Sequence, residues 1–376
     1  MTLVKKGLGI SVLLAAIILA IWHSKEKPSA IAEKSTSPPP TRARTTRPDP
    51  EDERSVANAN VRRRTLDDWK DLLQWLRTNP PPTAVEVRDR LLATRTSWAT
   101  MDPQALAAAI QQLLETGDDA TTGLDFKVGI HGLLTGWPSL RVFLLDVLAT
   151  SDPEMAMSIS NKLLDQTTSP DEFATALRSQ TRTGIARAGD GELLARFGQM
   201  LDHADWQTSR GFAEAFDLAR FIGTPEAARQ LVAWDGNPAL KSMAMDEFAA
   251  EHPREMLEIL GSESTLEGLT SARLMARADP SDPQQLSSVD AYFRSPDRTP
   301  EEIAAFLKSF PLRSATTGYR LYGRTPSPYT YEQIKAGDRA ANDLANSWTN
   351  DPSLDQYRPE IQSLQNRLSK WIEQTK

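Results

Sequence analysis

From Thr65 onward apolar residues recur at the spacing of an α-helix, and no stretch alternates apolar and polar positions as a half-buried strand would. Trp69, Leu72, Leu73 and Leu76 fall at i, i+3, i+4 and i+7, which places one apolar stripe toward a neighbouring element. The pattern starts this helix at Thr65 and stops it at Asn79-Pro80-Pro81-Pro82, because proline cannot continue the helical hydrogen-bond ladder. The same grammar recurs along the chain. A side chain that accepts hydrogen bonds stands at the N-cap, and proline follows at the first helical position, where its missing N–H would have had no partner anyway. It is read at Asp102-Pro103, Asp152-Pro153, Ser169-Pro170-Asp171-Glu172, Thr224-Pro225, Thr299-Pro300 and Asp351-Pro352. With breaks at Gly117, Gly136, Gly189, Gly236 and Gly261, these starts divide the region into roughly 15 helices of ordinary length. The expected fold class is all-α.

Short helices with short breaks imply antiparallel neighbours. Two windows, Trp98-Ala99-Thr100-Met101-Asp102-Pro103 and Leu148-Ala149-Thr150-Ser151-Asp152-Pro153, echo each other at a separation of 50 residues, and Phe248-Ala249-Ala250-Glu251-His252-Pro253 echoes them further on. Such repetition predicts an α-solenoid, a stack of antiparallel helix pairs in which each unit buries its face only against its neighbours. A closed α/α toroid is the alternative. The stack resembles HEAT-type repeats in architecture only, which transfers no function. The tetratricopeptide Trp and Leu-Gly signature and the ankyrin Thr-Pro-Leu-His pattern are missing.

Ahead of this region the pattern changes twice. Lys5 and Lys6 precede an apolar run from Gly7 to Trp22, about 24 Å long as a helix at ~1.5 Å per residue. That is short of the ~30 Å hydrocarbon core, but Leu3 and Val4 extend it and Lys6 and Lys25 would snorkel at its ends. Residues 1–27 are therefore expected to form an N-terminal signal anchor, with a transmembrane helix at about 7–22 inserted in the lipid bilayer. The competing reading is a secreted chain cleaved near Ala32, since Ala30-Ile31-Ala32 has the small residues a cleavage site needs; the charged stretch from His23 to Pro28 favours the anchor. Residues 28–64, rich in Pro, Ser, Thr and Arg, read as a disordered linker, and residues 65–376 as the all-helical domain. Lys25, Lys27, Lys34 and Arg42 oppose translocation under the positive-inside rule, yet large domains cross largely regardless of such flanks. The expected location is a single-pass inner membrane protein with its helical domain on the outer, periplasmic face.

Charge sharpens the division. Residues 1–64 hold five lysines and seven arginines against six acids, leaving 31 basic and 44 acidic residues in the remainder. An acidic folded region argues against nucleic acid as partner, because phosphates are attracted to a basic surface. Cysteine is absent, which removes disulfides, thiolate metal sites and thiol nucleophiles.

The search for chemistry returns no committed reaction. Only His131, His203 and His252 fall in the helical region, without a His-Glu-x-x-His pattern; Asp202-His203-Ala204-Asp205 is read as helix-end capping rather than as a metal site. No Gly-x-Ser-x-Gly elbow or phosphate-cradling loop is present, and no cofactor is expected. Trp69, Trp75, Trp98, Trp348 and Trp371 sit within helices, where packing is the commoner role. One stretch stands apart. Phe310 to Tyr331 reads as a long non-helical connection carrying four of the six tyrosines, and long loops in compact domains tend to be functional. Arg313, Tyr319, Arg320, Tyr322, Arg324, Tyr329 and Tyr331 are the binding residues it offers, Tyr and Arg being the chemistry of recognition surfaces. The opposing expectation is a loop folded over the core, its tyrosines packed and its arginines paired with the acidic body. The function expected is a membrane-tethered scaffold that binds another protein in a bacterial-type envelope, without apparent catalysis. An all-α hydrolase of a polysaccharide or cell-wall polymer, using two carboxylates across a cleft, is the alternative.

Overall fold

The computed structural model describes residues 50–182, 191–262, 266–313, 319–323 and 329–374. The apolar run at 7–22, the cleavage motif at Ala32 and most of the linker lie outside the described residues. No helix among the described residues is long and apolar enough to cross a membrane.

Among the described residues the chain is all-helical, with sixteen α-helices. These are α1 (Pro50–Leu76), α2 (Ala84–Trp98), α3 (Pro103–Thr116), α4 (Leu140–Ser151), α5 (Pro153–Leu164), α6 (Pro170–Arg182), α7 (Gly191–Leu201) and α8 (Arg210–Ile222). There follow α9 (Pro225–Ala233), α10 (Pro238–Glu251), α11 (Pro253–Ser262), α12 (Gly268–Met275), α13 (Pro283–Arg294), α14 (Pro300–Ser309), α15 (Tyr331–Thr349) and α16 (Arg358–Gln374). The expected caps are in place. Asp102 accepts from the Ala105 N–H at 2.9 Å, Asp152 from Met155 at 3.0 Å and Thr299 from Glu302 at 3.2 Å, each satisfying a backbone donor that a helix start leaves unpaired.

Three expectations need correction. The first helix begins at Pro50, not Thr65, so it takes in residues 50–64 of the stretch assigned to the linker. Thr65 lies mid-helix and buried, its hydroxyl donating to the Val61 carbonyl at 3.0 Å. Residues 54–60 are exposed and carry no apolar stripe, and the acids of Pro50-Glu51-Asp52-Glu53 are the helix-start signature of this end. Second, Asp351-Pro352 opens a 3-10 helix (Pro352–Tyr357) instead of an α-helix. Third, a small antiparallel hairpin interrupts the helices, with β1 (Lys127–Val128) paired to β2 (Leu134–Gly136). Strands this short leave no alternation to read.

Packing follows the chain. Among the even-numbered helices α4 lies on α6, α6 on α8, α8 on α10, α10 on α12, α12 on α14 and α14 on α16. Among the odd-numbered ones α1 lies on α3, α3 on α5, α7 on α9, α9 on α11 and α11 on α13. The three echoing windows all fall where an even-numbered helix hands over to an odd-numbered one. At the third, however, His252 replaces aspartate, and its Nε2 meets the Arg220 carbonyl at 2.6 Å. Trp69, Trp98 and Trp348 are buried in the core; Trp75 and Trp371 are half-buried beneath Arg90 and Arg367.

Polar ties join the even-numbered helices. Asp146 of α4 pairs with Arg95 of α2 at 2.9 Å and with Arg178 of α6 at 2.6 Å. Arg220 of α8 pairs with Glu247 of α10 at 2.8 Å, and Asp246 of α10 with Arg273 of α12 at 3.2 Å and with Arg277, just past the end of α12, at 3.3 Å. Arg367 of α16 donates to the Lys308 and Leu307 carbonyls at the end of α14, at 2.8 and 3.1 Å.

Candidate functional site

Helix α8 carries two stripes. Phe212, Phe216, Ala219 and Ile222 form the buried one, while Arg210, Glu214, Asp217 and Arg220 recur at i, i+4, i+7 and i+10 beside it. Arg210, Glu214 and Arg220 of the charged stripe line a cleft of about 560 Å³ together with Leu240, Met243 and Glu247 of α10, while Asp217 lies buried behind it. Lys127 and Val128 of the hairpin and Tyr319 and Arg320 of the α14–α15 connection complete it.

Within that connection residues 319–323 form a strap tied to α6, α8 and α10. Leu321 is buried to 1% exposure, and Arg320 and Tyr322 are buried with it. The Arg320 guanidinium forms ion pairs with Asp217 and Glu251. The Tyr322 N–H donates to Asp217 Oδ2 at 3.0 Å, and its hydroxyl donates to the Ala174 carbonyl of α6 at 3.1 Å. Gly132, in the turn of the hairpin, lets the strap pass: a Cβ there would lie 2.8 Å from the carbonyl oxygens of Arg320 and Leu321. Burial pulls the Arg320 guanidinium below its ordinary value and pushes the Tyr322 phenol well above its own. Both groups therefore serve as fixed internal ties.

The seven residues expected to bind do not share one surface. Tyr319 and Arg320 line the cleft, Tyr319 being 54% exposed, and Tyr322 lies buried beneath the strap. Arg313 pairs with Asp338 of α15 and lines a different groove, with Arg367 and Trp371. Tyr329 and Tyr331 flank Thr330, the N-cap of α15, and remain exposed. Arg324 lies outside the described residues.

Several residues of the cleft were not singled out from sequence. Asp217 is buried between Arg320 and Arg220, the latter 2.9 Å away, and Arg220 also reaches Glu251 at 3.8 Å. Glu214 differs: among the described residues it forms no hydrogen bond or ion pair. Burial first, then the negative Asp217 and Glu247, push its carboxyl above the usual range, against Arg210 and Arg220. The charged spacing along α8 was the available signal. On the rim, Met243 is 41% exposed. Elsewhere, His203 stacks on Trp206 at 3.9 Å, and among the described residues no three His, Asp or Glu side chains converge on a metal position.

No family model matches the chain, and no curated protein or solved structure matches it either. The site has to be read from its own geometry.

Proposed function

We propose that this chain is a membrane-tethered helical scaffold of a bacterial-type envelope that binds another protein at the cleft between α8, α10 and the strap. In this reading residues 7–22 anchor it in the bilayer, the domain stands on the outer face, and the two series of helices form an α-solenoid. Support for the solenoid over a toroid comes from the packing order, in which the main helix contacts among the described residues never join α1 or α2 to α15 or α16. The observation that carries the binding role is the exposure of Tyr319 and Met243 on the rim of one cleft whose floor is fixed by the Asp217–Arg320 pair. Aromatic and methionine side chains beside desolvated charge are what protein-binding hot spots use. A photo-crosslinking residue in place of Met243, in the full-length protein within its native envelope, is expected to give one discrete adduct that Tyr319→Ala removes. A crosslinker at Val85, exposed on α2, serves as control. No adduct at Met243, or the same adducts from Val85, would overturn the reading.

A second reading, hydrolysis of a polysaccharide or cell-wall polymer, is favoured by Glu214 alone. Its carboxyl is raised mainly by burial, as a general acid requires, and Glu247 lines the same cleft. Reducing ends released from cell-wall polysaccharide by the parent protein and not by Glu214→Gln would support it; no release by the parent removes it.

A further inference from the structure

The charged groups of the cleft are not equivalent. Asp217, Glu247 and Glu251 are matched to Arg220 and Arg320 through ion pairs. Lys127 and Arg210 are exposed, where water solvates their charge well. Glu214 alone combines partial burial with the lack of any hydrogen bond or ion pair among the described residues. A carboxylate partly withdrawn from water and met by Arg210 and Arg220 only at a distance, without an ion pair, stays under-compensated, so a cation delivered there recovers more free energy than an anion delivered to the solvated rim. The neighbouring rim is apolar, Tyr319 and Met243 both being exposed. An aromatic face, a thioether and a carboxylate together match a long side chain that is apolar along its stem and cationic at its tip.

We propose that the cleft receives a lysine or arginine side chain of the partner polypeptide, its cationic head at Glu214 and its stem against Tyr319 and Met243. This rests on the protein-binding reading and adds the chemistry of the partner. Arg210, four residues before Glu214 on α8, acts as a competing cation, so its removal favours the ligand.

The test is a set of capped synthetic heptapeptides, identical except for Lys, Arg, Ala or Glu at the centre, titrated against the full-length protein in mild detergent. The Lys and Arg members are expected to bind at least ten-fold more tightly than the Ala and Glu members. Glu214→Gln is expected to erase that preference, and Arg210→Ala to strengthen it several-fold. Binding that ignores the central residue, or that favours Glu and falls on Arg210→Ala, overturns the inference while leaving a protein-binding cleft. Absence of binding by every member overturns both. Circular dichroism matching the parent establishes that each variant is folded; should Glu214→Gln fail to fold, Tyr319→Ala must weaken the Lys peptide more than the Ala peptide, and equal weakening overturns the proposal.

Discussion

Asp146 and Arg178 form an ion pair 2.6 Å long in which neither side chain is exposed to solvent. The same carboxylate also receives Arg95 at 2.9 Å, the Trp137 indole at 2.9 Å and the Leu134 N–H at 3.3 Å, while Arg178 donates to the Gly132 carbonyl at 2.8 Å. Helices α2, α4 and α6 and the hairpin thus converge on one charge. The carboxylate is fully engaged in this way, whereas Arg178 acts through Nη1 and its buried Nε and Nη2 meet no hydrogen-bond partner among the described residues, so the guanidinium depends on Asp146. Asp146→Asn keeps the shape but leaves Arg178 without its counter-charge, and is expected to lower stability by about 3–5 kcal/mol. The fall of the urea midpoint at unchanged slope measures it; a midpoint like the parent's would refute an ionised pair at this position.

The pair that seats the strap is asymmetric. Asp217 holds Arg320, Arg220 and the Tyr322 N–H. Arg320 also pairs with Glu251, and Arg220 with Glu247 and Glu251. Asp217→Asn therefore leaves each guanidinium a carboxylate, whereas Arg320→Gln leaves Asp217, Glu247 and Glu251 to share Arg220. The arginine variant is expected to be the less stable by at least about 1 kcal/mol, since an uncompensated buried charge is the costlier defect. Chemical denaturation of both variants decides the order, and the reverse order would mean that the strap is seated mainly through the Tyr322 N–H on Asp217.

Two glycines separate backbone strain from strap contact. Gly117 and Gly132 both adopt left-handed backbone, at φ of 73° and 68°, but an added Cβ meets nothing within 4 Å at Gly117 and meets the strap carbonyls at 2.8 Å at Gly132. Gly117→Ala is expected to cost about 1–2 kcal/mol from conformation alone. Gly132→Ala adds a clash with backbone that cannot step aside without lifting Arg320 and Leu321 from their seats. Its melting temperature is expected to fall further than that of Gly117→Ala; equal shifts would show that the strap yields freely.

Helix starts were legible because capping is local: Asp102, Asp152, Thr224 and Thr299 each serve a backbone N–H within three residues. The extent of the α14–α15 connection was legible for the same reason, bounded by Pro311 and by the Thr330 cap. The course of that connection was not. Arg320 meets Asp217 across 103 positions of sequence and Tyr322 meets Ala174 across 148, and nothing local in Tyr319-Arg320-Leu321-Tyr322-Gly323 names those partners. Within Tyr319–Gly323 the composition that suggested a recognition surface is divided between one exposed ring, Tyr319, and two internal ties, Arg320 and Tyr322. Glu214 escaped notice because the burial that sets it apart from the other acids is a property of the packed helices.

Glu214 also makes the stability of the fold depend on pH. In the cleft it faces Asp217, Glu247, Arg210 and Arg220, with Lys127, Arg320 and Tyr319 lining the same space. Its carboxyl is raised in the folded chain, chiefly by burial, relative to the unfolded chain. Folding thus favours the protonated form. The resulting stabilisation is present below the ordinary carboxylate range and is lost as pH rises through the raised folded value, so at neutral pH the ionised side chain opposes folding. Glu214→Gln removes the ionisation while keeping size and polarity. It is expected to melt at a higher temperature than the parent at pH 7, with the gap closing as the pH is lowered through about 4.3, the ordinary glutamate value. Paired thermal melts from pH 3 to pH 8 provide the comparison. A gap that persists at pH 3 would trace the gain to packing, and a lower melting temperature at pH 7 would mean that the carboxylate is held by a counter-charge and is not the unmatched group of the cleft.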